Sequence, residues 1–483
     1  TMKDAARRKI EELIERFSRN IDVYKSGSYN EAQTRREFIE PFFEALGWDV
    51  YNRAGYAEQY KDIVHEDSVK VGVSLKAPDY SFRIGGQRKF FLEAKKPYVS
   101  IKDDIDPAYQ LRRYAWSAKL PLSVLTDFEE LAVYDCRIKP SQRDKVGTGR
   151  IAYYTYNKYV EEFDALYDVF SSDAVLKGSF DRYAVTAAGK RGTAEVDREF
   201  LKEIEGWRDS LARNIAIRNP KLTVDEMNFA VQQTIDRLIF LRICEDRGIE
   251  PYGGLQALLN GVNTYRRLFE LFYQADTKYN SGLFDFSSDK LTPDIKIDDD
   301  VIKGIIDGLY YPKSPYEFSV LGADILGNVY EQFLGKVIRL TAGHNAKVEE
   351  KPEVKKAGGV YYTPEYIVEY IVKNTVGRLV DGKMPKKVEA MRILDPACGS
   401  GSFLIGAYQH LLGYHLKWYT ENNPEKYAKG KFPAVYRSGE GWRLTTQEKK
   451  RILLNNIFGV DIDRQAVEVT KLSLLLKVLE DEN

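Results

Sequence analysis

Two clusters of residues in this chain have the types and spacing for chemistry. The first is Asp79, at the start of one extended segment, with Glu93 and Lys95 at the end of the next. Side chains alternate along a strand, so Glu93 and Lys95 share a face. Two carboxylates can hold a hard divalent cation such as Mg²⁺, which keeps several waters. A metal held in this way polarises an oxygen and lowers the pKa of an attacking water. A nearby lysine orients that water or offsets developing negative charge. The second cluster is the run Ile393-Leu-Asp-Pro-Ala-Cys-Gly-Ser-Gly-Ser-Phe-Leu404. An apolar strand meets an acid, Asp395, then a turn carrying Gly399 and Gly401, then an apolar helix. The glycines let a ligand approach the backbone, and the helix N-terminus behind them favours an anion. Asp461 ends a second apolar strand, where an acid suits ribose hydroxyls. The third glycine of a pyrophosphate-binding loop is missing. Asp461 also lies 60 residues after Gly401, against about 20 in dinucleotide folds. Both departures count against a dinucleotide.

The elements that must position these residues follow from periodicity. The opening stretch to about Asn20 reads as an amphipathic helix through Ile10, Leu13, Ile14 and Phe17. A second runs from Thr34 to Leu46 and stops at Gly47. From Val69 to Lys96 the pattern is β, with Gly85-Gly86 between two extended runs as a hairpin signal. Asp106 to Lys119 is helical and puts Gln110 and Tyr114 on one face, four apart. Leu122–Thr126 and Leu131–Asp135 read as further strands. The Gly-, Ala- and Ser-rich stretch 176–195 reads as a linker. Helical periodicity then continues to about Arg339 and is clearest over Phe229–Ile243. His344–Lys356 reads as a charged linker. Thr363 and Pro364 read as N-cap and first residue of a helix. Tyr419–Thr446 reads as an insertion loop, and Asp463 as a helix N-cap. The expected architecture is a multidomain α/β chain. It has a mixed α/β domain over 1–175, an α-helical connector over 176–345 and the start of a doubly wound α/β domain over 346–483.

A chain of 483 residues has room for several cores. It is 30% charged and 43% hydrophobic with zero formal net charge, so any basic face for nucleic acid must be local. No apolar run is long enough to span a bilayer, and no signal-peptide core opens the sequence. Cys136, Cys244 and Cys398 are far apart and suggest neither a disulfide framework nor a zinc site. They fit a reducing cytoplasm. Cys398 reads as a small residue filling a tight turn. Four histidines argue against a histidine-based metal site.

Pro78-Asp79 followed by Glu93-Ala-Lys95 resembles the signature of the PD-(D/E)XK nucleases. The resemblance implies that Asp79 and Glu93 hold Mg²⁺ against a DNA phosphodiester, with Lys95 assisting catalysis. Gln110 and Tyr114 resemble the Q-x-x-x-Y element of the recombination-nuclease branch, where the pair helps place DNA. Glu37 falls where some members carry an extra acid, although a structural role suits it better. Gly359-Val-Tyr-Tyr-Thr-Pro364, the Asp395 turn and Phe458-Gly-Val-Asp-Ile-Asp463 together resemble the S-adenosylmethionine site of DNA adenine-N6 methyltransferases. That implies a methionine pocket lined by Tyr361, Tyr362, Thr363 and Pro364. Asp395 would take the α-amino group, and Ala397, Cys398, Gly399 and Gly401 would form the turn around the cofactor. Asp461, with Ile462 beside it, would serve the ribose.

Nuclease, connector and methyltransferase in that order resemble the type IIG restriction–modification enzymes. The resemblance implies Mg²⁺-dependent cleavage and S-adenosylmethionine-dependent adenine methylation of double-stranded DNA, with transient pairing of chains on DNA. The family's Asn-Pro-Pro-Tyr/Phe motif and its target-recognition domain do not occur in this sequence. Two strands cannot complete a doubly wound sheet either, so the chain is expected to be part of a longer protein. Two other readings compete. One is a modification-only protein with a degenerate nuclease domain, and the other is a non-catalytic DNA-binding scaffold. The joint presence of Asp79, Glu93 and Lys95 favours the nuclease.

Overall fold

Gly85 and Gly86 adopt left-handed φ angles of 59° and 88°. Two such residues in a row close a tight hairpin whose twist matches its strands. The hairpin joins Tyr80–Ile84 to Gln87–Ala94, as the sequence leads one to expect. The computed structural model describes residues 2–56, 61–65, 70–71, 74–75, 78–180, 195–279, 281–357, 363–438 and 441–480. The chain divides into two compact units: Thr1–Val196 with Pro315–Val320, and Asp197–Ser314 with Leu321–Asn483.

In the first unit six strands form one sheet. They are β1 (Ile63–His65), β2 (Tyr80–Ile84), β3 (Gln87–Ala94), β4 (Leu122–Thr126), β5 (Glu130–Asp135) and β6 (Arg150–Thr155), in that spatial order. All neighbours are antiparallel except β3 and β4, which are joined through the helix Ile105–Ser117. A parallel pair needs such a crossover. Alternation along the strands feeds two cores. Phe82, Phe90, Leu92 and Val124 pack with Phe17, Phe38, Phe42 and Trp48 from the N-terminal helices. Phe91, Leu125, Ala132 and Tyr134 face Leu111 and Tyr114 of the crossover helix. The helix expected from Thr34 to Leu46 starts earlier, as Glu31–Thr34, and runs through a π-helical turn, Arg35–Ile39, into Glu40–Ala45. Strand β1 is only three residues long and β6 is tyrosine-rich and half-buried, so neither was marked in sequence. The late segment Pro315–Val320 is stitched into this unit. Tyr316 stacks on Trp116 with ring centroids 5.5 Å apart, and Val320 joins the core under the crossover helix.

The second unit is helical through Leu334. Its centre is the helix Val224–Asp246, opened by a capping box between Thr223 and Glu226. The helix is buried on every side, not amphipathic, so its charged residues must find partners indoors. Arg237 donates to Asp289, Thr292 and the Leu283 carbonyl, each at 2.8 Å. Arg242 pairs with Asp246 at 2.6 Å. Asp236 accepts from Gln232 and from Tyr330, and burial raises its pKa to about 7. The end of the expected helical run and the expected charged linker are instead a hairpin of β7 (Lys336–Leu340) and β8 (Ala346–Glu350), followed by the helix Pro352–Ala357. Alternation there was hidden because both faces carry charge. The expected insertion loop is also partly ordered, with the hairpin Val435–Ser438 and Gly441–Leu444 inside it. Between these lie β9 (Ile393–Asp395) and the helix Ser402–Glu421. Later comes β10 (Ile457–Gly459), parallel to β9, and the helix Arg464–Val478.

Among the described residues no helix is long and apolar enough to cross a membrane. The three cysteines are buried and unpaired. Replacing Arg237 with Ala would strand the Asp289 carboxylate in the interior. The expected loss is about 3–5 kcal/mol of stability, read from urea unfolding of the second unit. A loss below about 1 kcal/mol, the worth of an exposed pair, would contradict the buried-pair account.

Candidate nuclease and cofactor sites

At the carboxyl end of β3, Glu93 is only 2% exposed. Its Oε1 accepts from Lys95 Nζ at 2.7 Å, while its Oε2 is buried without a partner among the described residues. Burial, and then the Asp79 charge, raise the Glu93 pKa to about 7 against the pull of Lys95. Asp79 sits at the mouth of β2 with both oxygens engaged. Oδ1 accepts from Arg35 Nη1 at 2.8 Å and Oδ2 from the Ala94 amide at 2.7 Å. Arg35 is itself held, since its Nε donates to the Tyr80 hydroxyl at 3.1 Å. Tyr80 and Tyr51 in turn donate to the two oxygens of the buried Glu40, at 2.8 and 2.6 Å. A relay thus runs from Tyr51 to the candidate ligand Asp79.

The structure brings Asp79, Glu93 and Lys95 together and adds an acid that the sequence reading missed. Glu31 Oε2 lies 4.0 Å from Lys95 Nζ, and its charge is felt at Glu93. Glu37, the acid singled out from sequence, instead influences Tyr29, and its carbonyl accepts from Arg16. Tyr114 is 1% exposed, and Gln110 Nε2 donates to its hydroxyl at 3.3 Å. Burial first, and then the charges of Glu317 and Glu93, hold the phenol well above its ordinary pKa. Gln110 and Tyr114 are therefore paired with each other, the tyrosine within electrostatic reach of Glu93. Among the described residues no three His, Cys, Asp or Glu side chains converge as a metal cage. The orphaned, buried Glu93 Oε2 beside Asp79 nevertheless fits a cation held by two carboxylates and waters.

In the second unit the Asp395 turn is held by its own backbone. Val460 N donates to the Asp395 carbonyl and Cys398 N to the Val460 carbonyl, both at 2.9 Å. Asp395 Oδ1 accepts from Ala397 N at 3.1 Å. Asp461 Oδ2 accepts from Gly399 N at 2.9 Å. Gly399 and Gly401 take φ of 52° and 89°, which side chains resist. At Gly401 a Cβ would also fall 2.8 Å from Thr470 Cγ2. Cys398 fills the turn against Gly459, and burial pushes its thiol pKa up, which suits packing and not nucleophilic work. Asp463 caps the last helix, accepting from Gln465 N at 2.9 Å, and pairs with Lys351. Ile462 is fully exposed. The cap expected at Thr363 shifts by one residue. Pro364 is the cap residue, and its side chain makes no capping hydrogen bond. Tyr361 and Tyr362 lie outside the described residues.

A proton and any divalent cation bound there would compete for Glu93. Cation affinity should climb as pH rises through about 7 and level off above it, which titration of Mn²⁺ binding against pH would read. The same raised value costs stability once the group ionises. Its contribution is full below the ordinary value of 4.5 and lost as pH rises through about 7. Gly401→Ala should cost about 1–3 kcal/mol and weaken cofactor binding. An unchanged melting temperature would contradict the strain argument.

Residues 376–481 match the family described as MmeI, DNA-methyltransferase domain. The type II restriction enzyme and methyltransferase RM.Eco57I of Escherichia coli is 37% identical over 475 residues, covering 98% of this chain and 46% of that protein. A putative type II restriction enzyme and methyltransferase of Methanocaldococcus jannaschii, RM.MjaORFECS2P, is 27% identical over 98% of this chain and 46% of its own length. The chain thus spans about half the length of the curated relatives it matches. The solved type IIG restriction endonuclease BpuSI aligns with 92% of this chain and 41% of its own at 15% identity, with a TM-score of 0.26. Such a score fixes no residue correspondence. Over almost its whole length the chain is thus similar to proteins named as type II restriction enzymes and methyltransferases.

Proposed function

We propose that the protein is a bifunctional restriction–modification enzyme. It would cleave DNA phosphodiester bonds with Mg²⁺ and methylate adenine N6 with S-adenosylmethionine. The observation that carries the nuclease half is the meeting of Asp79, Glu93 and Lys95, with one Glu93 oxygen buried and unpartnered. Homology to enzymes named for both activities supports the pairing. The division into nuclease (1–175), connector (176–345) and methyltransferase (346–483) belongs to this proposal. So do double-stranded DNA as partner, transient pairing of chains for double-strand cleavage, and a cytoplasmic setting.

On this reading Asp79 and Glu93 hold the cation. When bound, Mg²⁺ supplies Lewis acidity at the scissile phosphate. Lys95, already 2.7 Å from Glu93, orients water and balances charge as the phosphate becomes more negative. Arg35 fixes the Asp79 rotamer through its single bond to Oδ1, and the Tyr80–Glu40 pair fixes Arg35. Gln110 and Tyr114 position the DNA. In the second unit Asp461 would serve the ribose hydroxyls, with Asp395, Ala397, Cys398, Gly399 and Gly401 shaping the turn. Thr363, Pro364, Tyr361, Tyr362 and Ile462 would complete the cofactor surroundings.

Glu93→Ala and Lys95→Ala should each abolish Mg²⁺-dependent cleavage while leaving S-adenosylmethionine binding intact. Asp461→Ala should do the reverse. Cleavage by the Glu93 variant at the wild-type rate would end the nuclease assignment. One observation favours a modification-only protein: both Asp79 oxygens already have partners. That alternative calls for methylation with no cleavage under Mg²⁺, Mn²⁺ or Co²⁺.

A further inference from the structure

The helix N-terminus behind the glycine turn is expected from its sequence to suit an anion. Three amides of the turn are instead taken by carboxylates of the chain. Ala397 N donates to Asp395, Gly399 N to Asp461, and Ser400 N to Glu331 Oε2 at 3.2 Å. Glu331 belongs to the helix Ala323–Leu334, a segment with no motif to mark it. Its carboxylate stands 3.4 Å from where a Cβ on Gly399 would be, so the close approach depends on that glycine.

Charge is unbalanced here. Asp395, Asp461 and Glu331 surround one turn, and none has a Lys, Arg or His ion-pair partner among the described residues. Lys351 goes to Asp463 instead. The Ser400 hydroxyl, in a residue 1% exposed, is buried without a hydrogen-bond partner among the described residues. Carboxylates gathered without a counter-charge favour a cationic guest. S-Adenosylmethionine offers two cationic groups, a sulfonium and an α-ammonium.

We propose that Glu331 is part of the cofactor site and takes the α-ammonium end of S-adenosylmethionine. The inference rests on reading residues 346–483 as a methyltransferase. Glu331 has one oxygen on the Ser400 amide, which leaves Oε1 to accept from the ammonium. The turn then selects its ligand by positive charge, and the methionine carboxylate does not compete for its amides.

The test compares two ligands by calorimetry on the wild-type protein and the Glu331→Gln and Glu331→Asp variants. One ligand is S-adenosylmethionine. The other is 5′-methylthioadenosine, which keeps the nucleoside but lacks the amino-acid end and both charges. Glu331→Gln retains an acceptor for Ser400 N but loses the charge. It should weaken S-adenosylmethionine about tenfold, the worth of one charge-assisted hydrogen bond, and leave 5′-methylthioadenosine unchanged. Glu331→Asp should retain part of the preference. The ratio of the two affinities does not depend on the fraction of protein folded, so a destabilised variant still reports. An unchanged ratio in Glu331→Gln, or an equal loss for both ligands, overturns the proposal. Wild-type protein that binds neither ligand overturns the methyltransferase reading itself, a separable outcome.

Discussion

A charge taken out of water must be matched, and both units are organised around that constraint. In the first, Glu93 leaves solvent at the end of a strand and is tolerated because Lys95 comes with it. Asp79 is likewise held against Arg35, and Arg35 against a tyrosine–glutamate pair. In the second unit one helix, buried beyond its first turn, carries Asp236, Arg237, Arg242, Glu245 and Asp246. Each finds a partner: Gln232, Asp289, Asp246, the Tyr310 hydroxyl and Arg242 in turn. Such pairs contribute little net stability, but losing one member is costly. They fix side-chain directions, which is what a site needs from its scaffold.

What could be read from sequence was local. The hairpin at Gly85-Gly86, the shared face of Glu93 and Lys95 and the Asp463 cap each depend on a few adjacent residues, and all three appear in the structure. What was missed depends on phase or on distance. The helical run Glu31–Ala45 carries Glu31, Glu37 and Glu40, and a regular 3.6-residue count cannot carry one phase through a π-helical turn. That is why Glu37 looked like the extra acid and Glu31 stands beside Lys95. Strand β1 is three residues long and Arg150–Thr155 is rich in tyrosine and half-buried, so neither shows clean alternation. Glu331 meets the Asp395 turn from 69 residues away, which no motif records.

The two candidate sites solve opposite electrostatic problems. The first has a lysine and an arginine among its carboxylates and one acceptor left over, an arrangement close to balance that a dication can enter. The second gathers carboxylates around backbone amides with no side-chain cation among the described residues. Its helix dipole supplies only partial positive charge. Both are built where a strand ends and the backbone must turn, since only there can a side chain leave the sheet and meet another element.

The segment Pro315–Val320 has a consequence for how the protein can be taken apart. Its Tyr316 ring lies on Trp116, its Glu317 amide donates to Ser117, and Val320 seals the core beneath the crossover helix. The chain therefore passes between its units three times. A fragment ending near Val196 would expose the Trp116 face and lose a piece of its own core. The first unit is not a cassette that gene fusion or recombination can lift out with a single cut. Any exchange of that unit between proteins has to bring along six residues encoded more than a hundred codons downstream.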